Sequence, residues 1–181
     1  MYSSMASILL NDASVLLNLL ATGRFEAIAI AIDRQFAICT SVQAEVKSLR
    51  DPDTGEMVPV DIEPFFQSGV LLLLELEGEQ EEALYVEQAA VVDDGEAMSL
   101  AIASVRSLEV AIDDRKARRL AGEKFPELCL WTTPEILKLW AEQSECSDAI
   151  LCATILRIEA VARYFPPRAH PLAAWWQAAK S

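Results

Sequence analysis

The residues with the most chemical potential in this chain are acids at element boundaries. The stretch from Asp93 to Ala121, DDGEAMSLAIASVRSLEVAIDDRKARRLA, sets Asp93, Asp94 and Glu96 at the start of a helical pattern. Asp113 and Asp114 stand where a short strand should stop. Upstream, Asp12 follows the apolar run Ser7 to Leu10, and Glu45 comes shortly after a strand candidate at Phe36 to Thr40. In a parallel α/β sheet, ligands sit at the carboxyl ends of the strands, which is where such acids would lie. Carboxylates gathered there repel, by roughly 4 kcal/mol per pair at about 4 Å and an effective dielectric near 20. A cluster of them persists only if it is solvated, protonated or neutralised by a cation. The plainer role for each is a helix cap or first-turn acid, because Asp and Glu favour those positions.

The elements that must carry these acids can be read from periodicity. Val15, Leu16, Leu19 and Leu20 form a helical face behind Asp12, ending near Gly23. Arg24 to Arg34 reads as a second helix. Thr40 or Ser41 caps a third, with Val42, Glu45, Val46 and Leu49 on its successive turns. DPDTG, Asp51 to Gly55, is a turn signal. Met57 to Ile62 and Val70 to Leu76 are extended candidates, read as an insertion: a hairpin or an addition to the sheet edge. Glu75 to Glu82 is a charge run of the kind that forms a solvated face, and it leads into a helix through Leu84, Gln88 and Val91. Ala97, Leu100, Ala101 and Ser104 share one face of the next helix, and Leu108, Val110 and Ile112 form a buried strand. A helix rich in Arg and Lys begins at Arg115. Leu128 to Trp131 is a last strand, Thr132 or Thr133 caps a helix through Ile136, Leu137 and Trp140, and Ser147 caps another. Trp175 and Trp176 are expected to pack a C-terminal helix onto the domain; left exposed, they would mark a partner surface.

With 181 residues, 52 % of them apolar, the chain suits a folded domain with a substantial core. Residues 1–144 are expected to form an α/β domain with 51–77 inserted, and 145–181 a helical extension packed on it. The charge-free run from Ala13 to Gly23 is too short to cross a bilayer. The first residues lack a basic segment of the secretory kind, and the four cysteines lack C-x-x-C spacing. The expectation is a cytoplasmic protein with buried, reduced thiols and no membrane partner. A single histidine leaves little scope for zinc. A net charge of −13 opposes a broad nucleic-acid footprint but leaves room for a local one.

In order and spacing the acids resemble those of the PIN-domain nucleases, particularly the toxin-type, VapC-like ribonucleases of prokaryotic toxin–antitoxin pairs. The matching pieces are LLNDASVLLNLLATGR, TSVQAEV, DDGEAMSLA and VAIDDRKARRLA, the last two forming a G-E-A … D-D-R-x-A-R pattern. The resemblance covers about residues 5 to 140. It implies a three-layer α/β/α sandwich around a parallel sheet and Mg²⁺- or Mn²⁺-dependent hydrolysis of RNA phosphodiesters. Asp12, Glu45, Glu96 and Asp114 carry over as the catalytic acids. Asp94, a nearby substitute for Glu96, and Asp113, kept beside Asp114 because a strand end cannot be fixed to one residue from sequence, are further candidate metal ligands. Carboxylates suit Mg²⁺, which takes hard oxygen ligands. Arg115, Lys116 and Arg119, with Arg118 beside them, are positioned to hold substrate phosphates; their plainer role is a solvated helix face. Among partners, the resemblance implies RNA and an antitoxin-like protein with a basic segment, and a homodimer is also open. The alternative is a catalytically degenerate PIN-like domain that acts as a protein-binding module.

Overall fold

The computed structural model describes residues 7–180. Its centre is β1 (Ser7–Asn11), whose Leu9, Leu10 and Asn11 are all buried in succession. Consecutive burial is what a strand shows when helices cover both faces of its sheet. The same holds for Phe36 to Cys39 at the end of β2 (Arg34–Cys39). Between them run α1 (Ala13–Ala21) and α2 (Phe25–Ala31). After β2 comes α3 (Thr40–Glu45), then β3 (Ser48–Arg50), β4 (Met57–Pro59), α4 (Glu63–Gln67) and β5 (Leu71–Leu74). The chain continues through α5 (Gly78–Ala89), α6 (Asp94–Arg106), β6 (Glu109–Ala111), α7 (Arg115–Lys124) and β7 (Leu130–Trp131). It closes with α8 (Thr133–Gln143), α9 (Asp148–Val161) and α10 (Ala173–Ala178).

Five strands form one parallel sheet in the order β5-β2-β1-β6-β7. The chain steps outward from β1 to β2 and β5, then returns to the opposite side of β1 as β6. Strand order therefore reverses between β1 and β6, and the carboxyl ends of those two strands flank the crevice this creates. Helices complete an α/β/α sandwich. α6 lies against β1, β2 and β6 with α3 and α5 beside it, while α1 packs with α8 and α9.

The structure departs from the sequence expectation in four places. The third helix stops at Glu45 instead of running on to Leu49, because Leu49 pairs with Val58 in an antiparallel hairpin of β3 and β4. The turn of that hairpin is DPDTG, where Asp51 accepts the Asp53 and Thr54 amides and Gly55 takes φ +76°. The connection between the two extended candidates, to which no element had been assigned, holds the short helix α4, with Pro64 in its first turn, where a missing N–H costs nothing. β5 adds to the sheet edge beside β2, one of the two arrangements expected for it. The acidic run is not solvated throughout: Glu81 is 2 % exposed and paired with Arg106. Of the four free cysteines, Cys39 is buried and Cys129 exposed.

The C-terminal segment is tied down by named contacts. Thr132 and Glu135 form a capping box at the start of α8. Ser147 caps α9, and Arg157 on that helix donates to the Ala21 carbonyl at 2.9 Å. Trp176 is fully buried, lies edge-on to Tyr164 at 5.7 Å, and donates its indole N–H to Glu159. No single helix among the described residues is long and apolar enough to cross a membrane.

Candidate active site

The strand-to-helix junctions at the carboxyl edge of the sheet position the acids. Asp12 leaves β1 in an extended conformation and caps α1, where Ser14 donates to its Oδ2 from the hydroxyl at 2.6 Å and from the amide at 3.4 Å. Its own amide donates to the Ala111 carbonyl, which ties the end of β1 to β6. The side chain is 5 % exposed, and burial raises its carboxyl above the usual range against the opposing pull of Ser14. Asp93 caps α6 by accepting the Glu96 amide at 2.9 Å. Glu96 itself is 6 % exposed. Burial, then the charges of Asp93, Asp12 and Asp114, push its carboxyl up to about 8.

Glu45 ends α3 and reaches across to the start of α6. Its Oε1 lies 2.8 Å from where a Cβ on Gly95 would stand, an approach that only glycine leaves free. Desolvation raises its carboxyl, with Asp93, Asp12 and Asp94 adding to the rise and the Gly95 amide opposing it. Asp114 is exposed at the start of α7, where its Oδ1 accepts the Lys116 and Ala117 amides at 2.7 and 2.9 Å.

Asp12, Glu45, Glu96 and Asp114 are thus within electrostatic reach of one another or of a shared neighbour. Asp93 belongs with them, since its charge raises the carboxyls of three of them. Sequence reasoning set Asp93 in the acidic run without choosing it. The available signal was its place directly before the G-E-A helix, which it shares with any N-cap.

Asp94 accepts the Tyr85 hydroxyl at 3.2 Å while its charge also reaches Glu45, and Asp113 is turned to other partners. Asp113 accepts the Thr133 amide and hydroxyl at 2.9 and 2.6 Å, the Asn18 amide group at 3.1 Å and the Tyr164 hydroxyl at 3.1 Å. The partners Asn18, Thr133 and Tyr164 come from three separate helices or loops, and no local pattern announces them. Of the basic residues, Arg115 and Lys116 are exposed on the first turn of α7. Arg119 is exposed and lies 3.9 Å from Glu123. Arg118 donates its Nη1 to the carbonyls of Ile112 and Trp131 at the ends of β6 and β7.

The donor set is carboxylate oxygen throughout, which suits Mg²⁺ or Mn²⁺ rather than zinc. Glu96 near 8 marks a group that lacks a counter-cation of its own. Among the described residues, no three His, Cys, Asp or Glu side chains are drawn together closely enough to hold a metal ion. Like charges stand apart in this way, near enough to raise one another's pKa but not to share a point. The residues fit a hard divalent cation by the chemistry of their donor atoms.

A family model described as a PIN domain matches residues 8–125, which is well over half of the chain. The chain belongs to the PIN-domain family. Comparison with curated proteins and with solved structures gives no match. The PIN match begins in β1 and ends at the close of α7, so it takes in every acid described above. It also fixes the sheet and its crevice as a nuclease-type fold, in which divalent-metal dependence is general.

Proposed function

We propose that this PIN domain is a ribonuclease that hydrolyses RNA phosphodiesters with Mg²⁺ or Mn²⁺. The observation that supports this most is the convergence of Asp12, Glu45, Asp93, Glu96 and Asp114, from four separate segments, on the crevice between β1 and β6. Asp12, Glu96 and Asp114 would hold the cation, and Glu45 and Asp93 would add negative charge beside them. A divalent cation in that place supplies Lewis acidity toward a phosphate oxygen and offsets charge on the departing oxygen. Ser14 fixes the rotamer of Asp12, so this ligand is oriented before anything binds. Glu96 would be held in its charged form by an adjacent cation, which offsets the like charges that now raise its carboxyl. Asp113 lends no oxygen; its four hydrogen bonds hold the end of β6 and thereby aim Asp114. Arg115 and Lys116 present cations to the substrate backbone next to the acids.

The toxin role follows as a narrower proposal. A nuclease of this type must be silenced in its own cell, and an Arg from a partner could pair bidentately with the acidic crevice. The chain's charge of −13 would speed the encounter with a basic segment at low salt.

The test is RNA cleavage by the full chain in Mg²⁺ and in Mn²⁺. Asp12→Asn and Asp114→Asn are each expected to abolish cleavage while leaving the circular dichroism spectrum unchanged. Cleavage that survives both substitutions, or that survives EDTA, overturns the assignment. Wild-type protein that binds Mn²⁺ but cuts no RNA would instead favour a degenerate domain used for protein binding.

A further inference from the structure

A cavity of about 320 Å³ opens beside the acidic crevice, between the start of α7 and the 164–171 segment that follows α9. Asp113 lines it, and the next residue, Asp114, belongs to the acid cluster, so the two sites share a wall. Its volume falls near the lower end of small-molecule pockets, which start at about 300 Å³.

The formal charges of its lining balance, two carboxylates against two guanidiniums, but they are not paired with each other. Two carboxylates, Asp113 and Glu135, face it, and both are already committed. Asp113 accepts four hydrogen bonds from Thr133, Asn18 and Tyr164. Glu135 accepts the Thr132 amide and hydroxyl in the capping box. Arg115 and Arg118 also line the cavity, and among the described residues neither forms an ion pair. Arg118 is held in place through Nη1 alone, by the carbonyls of Ile112 and Trp131. In a chain of net charge −13, two guanidinium groups without carboxylate partners at one mouth form a local anion site.

The remaining wall is flat and largely apolar, supplied by Tyr164, Pro167, His170 and Pro171. His170 is locked. Its Nδ1 accepts the Leu172 amide, so Nε2 carries the proton and donates to Thr132 Oγ1 at 3.0 Å. Two guanidinium donors beside rigid rings match the two halves of a nucleotide, a phosphate and a base.

We propose that this cavity is a subsite for one nucleotide of the RNA, next to the phosphate positioned at the acids. Its phosphate lies on Arg115 and Arg118 and its base against the ring of Tyr164 and the 167–171 wall. The assignment to RNA rests on the nuclease reading above, but occupation of the cavity does not require a metal. The C-terminal extension, which the PIN match does not cover, would then choose which base is accepted.

The chain's single histidine lies in this wall and gives a proton NMR signal that needs no assignment. The full chain is titrated in EDTA with 5′-AMP, 5′-UMP, inorganic phosphate and a short poly-glutamate peptide. A saturable movement of the His170 resonance with a nucleotide, weaker or absent with phosphate, is the expected result. Arg115→Ala should weaken that binding by about tenfold, the scale of one lost charge-assisted contact, and Arg115→Lys should restore part of it. Arg115 is exposed, so neither change threatens the fold. No saturable movement with either nucleotide overturns the proposal. So does inorganic phosphate or the peptide acting as strongly as the nucleotides, or an Arg115→Ala variant that binds as wild type does. Because metal and cleavage play no part in this readout, an inactive enzyme that still binds nucleotide refutes the nuclease reading alone.

Discussion

Glu96→Gln is expected to stabilise the metal-free protein, and to do so more as pH rises. Glu96 is 6 % exposed, with Asp93, Asp12 and Asp114 around it, and its carboxyl is pushed from 4.5 up to about 8. A folded-state pKa above the unfolded value means that the folded state binds the proton more tightly. The stability tied to that proton is complete below pH 4.5 and is lost progressively as pH rises through about 8. At about 1.36 kcal/mol per pKa unit, the loss is roughly 1.4 kcal/mol at pH 5.5, 3 at pH 7 and 4.6 at pH 8.5. Glutamine keeps the shape and cannot ionise, so it removes this slope.

Urea unfolding in EDTA at pH 5.5 and 8.5 measures the difference directly. The wild type should lose about 3 kcal/mol relative to Glu96→Gln between those two points, by the linkage relation. Added Mg²⁺ should narrow the gap at pH 8.5 by more than half, since a ligand at about 100 times its Kd stabilises the binding form by about 2.7 kcal/mol. Parallel stability curves for the two proteins, with no divergence as pH rises, would refute the view that Glu96 sits unneutralised among like charges.

Two further substitutions separate function from folding elsewhere. Gly95→Ala puts a methyl group 2.8 Å from Glu45 Oε1, the flexible end of an exposed side chain; stability should stay level or rise by up to about 1 kcal/mol in a urea titration, because Ala is the better helix former, while Mn²⁺ affinity by calorimetry falls. Arg106→Ala strands the buried Glu81 carboxylate, which now takes Arg106 Nε at 2.7 Å and Nη2 at 2.8 Å; an unfolding experiment at pH 7 should show a loss of roughly 2–3 kcal/mol, below the full cost of a wholly buried pair because Arg106 is 22 % exposed.

The parallel sheet was legible in the sequence because its strands are short apolar runs, and the two central ones stop at acids. Leu9 to Asp12 and Val110 to Asp114 carry that signal without needing a partner. Burial on both faces removes alternation, so those runs cannot be confused with half-exposed strands. β3 was not legible. Val46 and Leu49 keep helical spacing behind Val42, and only Val58, beyond a turn, decides that Leu49 is in a strand. Glu81 was missed for the same reason: a run of acids looks solvated until Arg106, on a different helix, comes to lie against one of them.

The choice between Asp113 and Asp114 shows where local information ends. Both follow β6, both precede α7, and either type caps a helix well. The adjacent side chains leave the end of β6 in different directions, so only one can face the crevice. What selects Asp114 is that Thr133, Asn18 and Tyr164 surround its neighbour, and these arrive from α8, α1 and the segment after α9. A buried carboxylate left without such donors would be costly, so the four bonds stabilise Asp113 in place and leave Asp114 free to face the other acids. The C-terminal extension therefore does more than cover one face of the fold. Through Tyr164 it helps to settle which aspartate enters the acid cluster, and through the same residue it forms one wall of the adjoining cavity.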